Sequence, residues 1–200
     1  MSKSGLSTDR PQTKDRILDA ALNVFARKGF YNARMDEIVD ESHTSKGAIY
    51  FHFPNKERLF LALVDQFANL LERRIISAIS EEEAGMARVQ AAVETTLDTF
   101  GRYRRQAKVL LVQASGLGNT FEQKRMEINE RFAGLIAIYL QEAVDIGEIV
   151  PLDVEVISHA WMGAIYSVVI RWVHMGEPEP ERIVAGLVPM LLQSVGYEHA

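Results

Sequence analysis

Lys46, Gly47, Ala48 and Tyr50 are the residues whose types and spacing point to chemistry, in the run Ser45-Lys46-Gly47-Ala48-Ile49-Tyr50-Phe51-His52-Phe53-Pro54-Asn55-Lys56. That chemistry is the recognition of a nucleic acid. A lysine can meet a phosphate, a tyrosine hydroxyl can donate to one, and small Gly47 and Ala48 let a backbone approach a base edge. Ile49 and Phe53 share the other face of the same short helix and are expected to bury. Ser45 is a good N-cap, because its hydroxyl can accept from the free amides of the following turn. Pro54 ends the segment and Asn55 can cap the next one. Lys56 then stands at a helix N-terminus, where anions are favoured.

These residues need elements to position them. Arg34 to Ser42 carries Met35, Ile38 and Val39 at amphipathic-helix spacing, and Ser42-His43-Thr44 interrupts the pattern without a proline. A short helix, a three-residue turn and a capped second helix read as a helix-turn-helix whose second helix can lie in a DNA major groove. Upstream, Ile17, Ala20, Ala21, Val24 and Phe25 form one stripe, with Gly29 placed to end that helix. An ordinary helical hairpin explains each of these residues singly. It does not explain their combination.

Residues 13–60 resemble the DNA-binding domain of the tetracycline-repressor (TetR) family of bacterial transcriptional regulators. The matching residues are Ile17 to Ala21 with Phe25 and Gly29-Phe30, Met35 to Ile38, Ser45 to Phe53, and Asn55 to Leu59. The resemblance implies a homodimer on a palindromic operator. It points to Arg34, Thr44, Ser45, Lys46, Gly47, Ala48, Tyr50, His52 and Lys56 as DNA-binding residues. Two places depart from the family pattern. Ser42-His43-Thr44 replaces a common Ala-Gly-Val turn, so His43 would hold a left-handed backbone at a cost of about 1 kcal/mol. Arg34 stands where a small Ser or Thr often caps the second helix.

Composition predicts an all-α, soluble, cytoplasmic protein. The 200 residues suffice for a sizeable core, and the chain contains no cysteine, so disulfides and thiolate metal sites are excluded. No stretch is expected to span a membrane, and the N-terminus lacks the apolar core of a signal peptide. Residues 1–11 read as a flexible arm, 12–58 as the helix-turn-helix domain and 59–200 as a ligand-binding and dimerisation domain. The net charge of −5 is unevenly spread: residues 1–58 carry +2 and residues 59–200 carry −7. A mildly basic head on an acidic body suits a protein that offers one end to phosphate.

Helical periodicity continues through the body. Leu59, Phe60, Leu63, Val64, Phe67, Leu70 and Leu71 line a helix joining head to body, and Glu81-Glu82-Glu83 reads as a solvated helix start. Pro189 should kink or interrupt the last helix. Before it, Ile157, Ala160, Ala164, Ile165, Val168 and Trp172 join Ile183, Leu187 and Leu191 in a broad apolar face. This face fits either a monomer core or a dimer interface of two helices per subunit, and the resemblance favours the interface. The resemblance also implies a small-molecule effector within the body. Phe67, Val93, Leu97, Phe100, Leu110, Gln113, Phe121, Trp161 and Tyr166 are the lining candidates. An apolar, aromatic lining suits a hydrophobic or amphipathic ligand. Arg171 reads as a surface charge.

Two other classes compete. As an enzyme the chain lacks a placed nucleophile, and a core or pocket role fits His159 better than catalysis. The histidines show no metal-ligand spacing, so no metal or other cofactor is expected. A helical adaptor or ligand carrier without specific DNA binding is the other alternative. The sequence is therefore read as a ligand-responsive, DNA-binding transcriptional regulator, a repressor in its commonest form.

Overall fold

The computed structural model describes residues 9–112 and 118–197, and among them it is helical throughout, with no strand. The head comprises α1 (Asp9–Asn32), α2 (Met35–Ser42) and α3 (Lys46–His52). Helix α1 starts two residues before Pro11, inside the segment expected to be an arm, because a proline's fixed φ suits a first helical turn. Its regular course breaks at Gly29 (φ 76°, ψ 164°), a kink within α1 and not the left-handed C-cap expected there, and the helix resumes to Asn32.

Helix α4 (Lys56–Ser80) leaves the head and runs into the body along α5 (Met86–Arg102). The short α6 (Arg104–Ala107) continues into a π-helical turn, Lys108–Val112, which touches α1 and α8 (Val154–Met175). Helices α7 (Asn119–Asp145) and α9 (Pro180–Ser194) complete the body. One apolar core runs without a gap from Ile17 in α1 to Val195, so the head is packed onto the body rather than tethered to it.

Caps set these helix starts. Asn55 Oδ1 accepts from the Arg58 amide at 2.8 Å, and Asp153 Oδ1 accepts from the Val156 amide at 3.1 Å. Glu148 caps α5 from a distance in sequence: its carboxylate accepts from the Met86 amide at 2.7 Å. Gly85, just before that amide, has φ 68°, and a Cβ there would stand 2.0 Å from Glu148 Oε2. Glu81 to Glu83 form an exposed connection after α4, not a helix start, because the α5 start is already capped by Glu148.

Two further expectations are corrected. Helix α9 runs through Pro189 without interruption. Helix α8, at 22 residues, is long and apolar enough to cross a membrane by length and composition, contrary to the expectation that no stretch is. Here its Trp161, Ile165, Val169, Trp172 and Val173 are buried in the protein core, and its remaining sides carry Glu155, His159 and Arg171.

Lys56 is the largest departure in the head. Its ammonium donates to the carbonyls of Phe30 (2.6 Å), Tyr31 (3.0 Å) and Ala33 (2.9 Å), and lies 4.6 Å from the Phe30 ring centroid. Burial pushes its pKa below the ordinary lysine value. All three donors are consumed, so Lys56 ties α4 to the end of α1 and offers no N–H to a phosphate. Lys56→Met is expected to lower stability by about 1–3 kcal/mol, since it leaves three carbonyls without their charged donor. Urea denaturation followed by circular dichroism measures this.

Candidate nucleic-acid interface and effector cavity

Helix α3 is held by its start and by its inner face. Ser45 Oγ accepts from the Ala48 amide at 3.1 Å, and Ile49 is fully buried. The outward positions are Lys46, Gly47, Tyr50 and Phe51, which fall on two adjacent i, i+4 rows. Lys46 is ion-paired to Asp36 of α2 at 2.7 Å, with both groups well exposed. Each holds the other charged: the Lys46 pKa is raised and the Asp36 pKa lowered, first by their hydrogen bond and then by charge. Solvent screens a pair this exposed, so Lys46 can exchange Asp36 for a phosphate at little cost.

The other expected contacts divide. Arg34 is exposed at the start of α2. Its guanidinium has donors only, so it cannot act as a capping acceptor. Instead the Glu37 carboxylate accepts from the Arg34 amide at 3.1 Å. Gly47 is open, with nothing near a built Cβ, whereas Ala48 is half-buried. Thr44 Oγ lies 2.7 Å from Ser42 Oγ, which itself donates to the Val39 carbonyl, so the Thr44 proton is used inside the turn. His52 is half-buried between the Phe51 and Phe53 rings, with centroids 5.3 and 6.2 Å away. Lys56 is therefore consumed within the head, whereas Thr44 and His52 are half-buried beside the open face. Phe51, not among the expected site residues, stands on the open face four residues after Gly47.

The turn takes the form expected of it. His43 is left-handed (φ 52°, ψ 36°) and is the sole such non-glycine among the described residues. The Arg16 guanidinium donates to the carbonyls of Ser42 (2.9 Å) and His43 (3.0 Å), fastening the end of α2 onto α1.

In the body, α4, α5, α7, α8 and the π-helical turn enclose a cavity of about 460 Å³, within the range of small-molecule sites. Of the expected lining residues, Phe67, Val93, Phe100, Leu110, Phe121 and Tyr166 face it. Leu97 is buried elsewhere in the core. Trp161 turns away to donate from its indole N–H to Ser194 Oγ at 3.2 Å. Gln113 lies outside the described residues. Thr96, Glu122, Arg125, Asn129 and Tyr139, which are not among the expected residues, supply the polar part of the lining. Glu122, Arg125 and Asn129 follow one side of α7, and their spacing with Phe121, Ile128 and Phe132 was the available signal. Glu122 is exposed and accepts from Arg125 at 2.8 Å, so this pair marks the mouth.

The broad apolar face of α8 and α9 proves two-sided. Ile165, Trp172, Ile183, Leu187 and Leu191 are buried within the subunit, so they cannot form an interface between subunits as expected. Ile157, Ala164 and Val168 sit half-buried at the border, and Ala160 is exposed beside Gly163 and Ser167. The stripe was wide enough for a core and an outer face, and the larger side chains fill the core. His159 is likewise outside, not in a core or pocket. Its Nδ1 meets the Glu155 carbonyl at 2.8 Å and its Nε2 lies 3.2 Å from Glu130. Those bonds, the backbone one first, raise its pKa. Arg171 is exposed, as expected.

A helix-turn-helix head carried on one long helix that also walls a cavity defines a DNA-binding regulator with an effector-sized chamber. The chain belongs to the tetR family of bacterial regulatory proteins: residues 17–63 match that family. The HTH-type transcriptional regulator UidR of Escherichia coli (strain K12) is 30% identical over 152 residues, covering 73% of this chain and 74% of UidR. The fold also matches the fatty acid degradation regulator FadR of Bacillus halodurans, with a TM-score of 0.83 at 21% identity over 98% of this chain and 100% of that one. FadR of Bacillus subtilis, solved in complex with stearoyl-CoA, gives 0.79 at 22% identity, covering 92% and 99%. These two likenesses establish the fold alone.

The turn supplies a direct test. His43→Gly removes a left-handed side chain and is expected to stabilise the protein by roughly 0.5–1 kcal/mol. Arg16→Ala, which unfastens the same turn, should destabilise it. Paired thermal melts separate the two signs.

Proposed function

We propose that this chain is a homodimeric repressor which leaves a palindromic operator when an amphipathic molecule with a long apolar chain fills its body. The observation that carries this reading is the cavity and its connection to the head. Phe121 lines the cavity and packs on Phe60 (centroids 6.1 Å apart), and Phe60 packs in turn on Phe25 and Phe30 of the head at 5.4 and 5.2 Å. A ligand that moves Phe121 acts on the head through ring contacts, with no flexible link between.

The lining sets the ligand's chemistry. Its walls are aliphatic and aromatic, and the Arg125–Glu122 pair with Asn129 at the mouth suits an anionic or polar head group. A long-chain fatty acid or its acyl thioester has this shape. The complex of Bacillus subtilis FadR with stearoyl-CoA supports the same class. Effector binding releases DNA only to the extent that the ligand prefers the non-binding conformation.

In this reading, residues 12–58 are the DNA-reading head, residues 59–200 hold the effector, and α3 enters the major groove through Lys46, Gly47 and Tyr50. A second copy covers the outer face of α8 and α9, where Val156, Ala160, Gly163 and Met190 are exposed. Two heads one DNA turn apart then read a palindrome. The small charge excess of the head also favours two heads acting together. The protein works in the cytoplasm as a binding protein, not as an enzyme.

Fluorescence anisotropy on an operator recovered by in vitro selection tests the whole scheme. Saturating long-chain acyl ligand should weaken DNA binding at least about tenfold. Ligand affinity should rise about fourfold for each added methylene until the cavity is full, since each buried methylene contributes about 0.8 kcal/mol. Thr96→Trp, which fills the cavity, should bind DNA but ignore the ligand. Lys46→Ala and Tyr50→Ala should lower operator affinity and leave ligand binding intact. A chain-length series without effect on DNA affinity would refute the ligand class. The double substitution Ala160→Arg with Gly163→Arg should yield monomers in analytical ultracentrifugation; a persistent dimer would refute the interface.

A further inference from the structure

Phe51 is 74% exposed, more than any other large apolar side chain among the described residues. It stands on the outward side of α3, four residues after Gly47. Long helical side chains lean toward the preceding turn, which here carries Gly47. A Cβ placed on Gly47 would meet nothing within 4 Å, which leaves that flank of the ring bare. The neighbouring His52 ring braces Phe51, with centroids 5.3 Å apart and planes at 79°. The result is a propped apolar plate beside an unfilled notch, on the same surface as Lys46 and Tyr50.

A plate of this kind gains nothing from phosphate, and the base edges of the major groove offer one apolar group, the thymine C5-methyl. We infer that Phe51 reads a thymine in each operator half-site, packing its ring on the C5-methyl group above Gly47. This rests on the reading that α3 enters the major groove. It adds a preference for one base at one position. Lys46 and Tyr50, facing phosphate, place the helix but carry no such preference.

Deoxyuridine differs from thymidine in lacking only that methyl. An operator is first obtained by in vitro selection with the full-length protein. Each thymine of one half-site is then replaced singly by deoxyuridine, and affinities are measured for the wild type, Phe51→Ala and Phe51→Leu. One thymine is expected whose methyl is worth roughly fourfold to the wild type, less to Phe51→Leu and nothing to Phe51→Ala. Selection repeated with Phe51→Ala should lose the preference at that position alone. A Phe51→Ala protein that binds more weakly but keeps the wild-type deoxyuridine profile would place the ring on sugar or backbone and overturn the proposal. If the wild type enriches no sequence at all, the major-groove reading itself fails. If a sequence is enriched and none of its methyl groups depends on Phe51, only the thymine assignment fails.

Discussion

The ring of Phe60 is the joint on which the molecule depends. It is fully buried and meets Phe25 and Phe30 of the head on one side and Phe121 of the cavity wall on the other. Edge-to-face aromatic pairs of this kind are worth roughly 0.5–1.5 kcal/mol each beyond their buried area. More important is that close-packed interiors do not deform continuously, so in the proposed switch a shift of Phe121 toward Phe60 is passed on rather than absorbed. Helix α4 makes this coupling rigid. It begins in the head, where Lys56 is bound to the carbonyls of Phe30 and Tyr31 in α1 and of Ala33 just beyond it, and ends as one wall of the cavity.

The reading surface is built in the opposite manner, from weak and replaceable contacts. Lys46 is paired with Asp36 in the open, and Gly47 leaves an unfilled gap. Strength is placed behind that surface, in the Ser45 cap, buried Ile49 and the Arg16 bonds to the carbonyls of Ser42 and His43. Those two bonds hold a left-handed histidine where glycine would be unstrained. A stiff support with an exchangeable face suits the role proposed for α3, in which Lys46 trades Asp36 for a phosphate without a change of shape.

The elements were legible in the sequence because their signals are local. The caps at Ser45 and Asn55, the break at Gly29 and the left-handed turn at His43 each follow from residues within a few positions. The failures share a different cause. Lys56 stands at a helix N-terminus, but its partners are carbonyls some 25 residues earlier in the chain, and only the tertiary fold brings them within 3.0 Å. Glu148 caps α5 across 62 residues for the same reason. Helix α8 carries apolar residues almost all round, so periodicity could not divide a core face from an outer one. The mouth of the cavity was missed because Glu122, Arg125 and Asn129 look like ordinary surface residues when α7 is read alone.

The unevenness of charge connects these two halves. With a head of only +2 and a body of −7, attraction to DNA is weak at any distance and repulsive if the body approaches. In the proposed reading, affinity therefore comes from short-range fit of α3, which tolerates little change in how the head is held. That makes the protein sensitive to the small shifts a packed aromatic joint can deliver. A strongly basic head would bind DNA in many poses and be hard to release. A weakly charged head on a rigid lever can be switched by a ligand with a modest preference between the two states, because few phosphate contacts have to be broken.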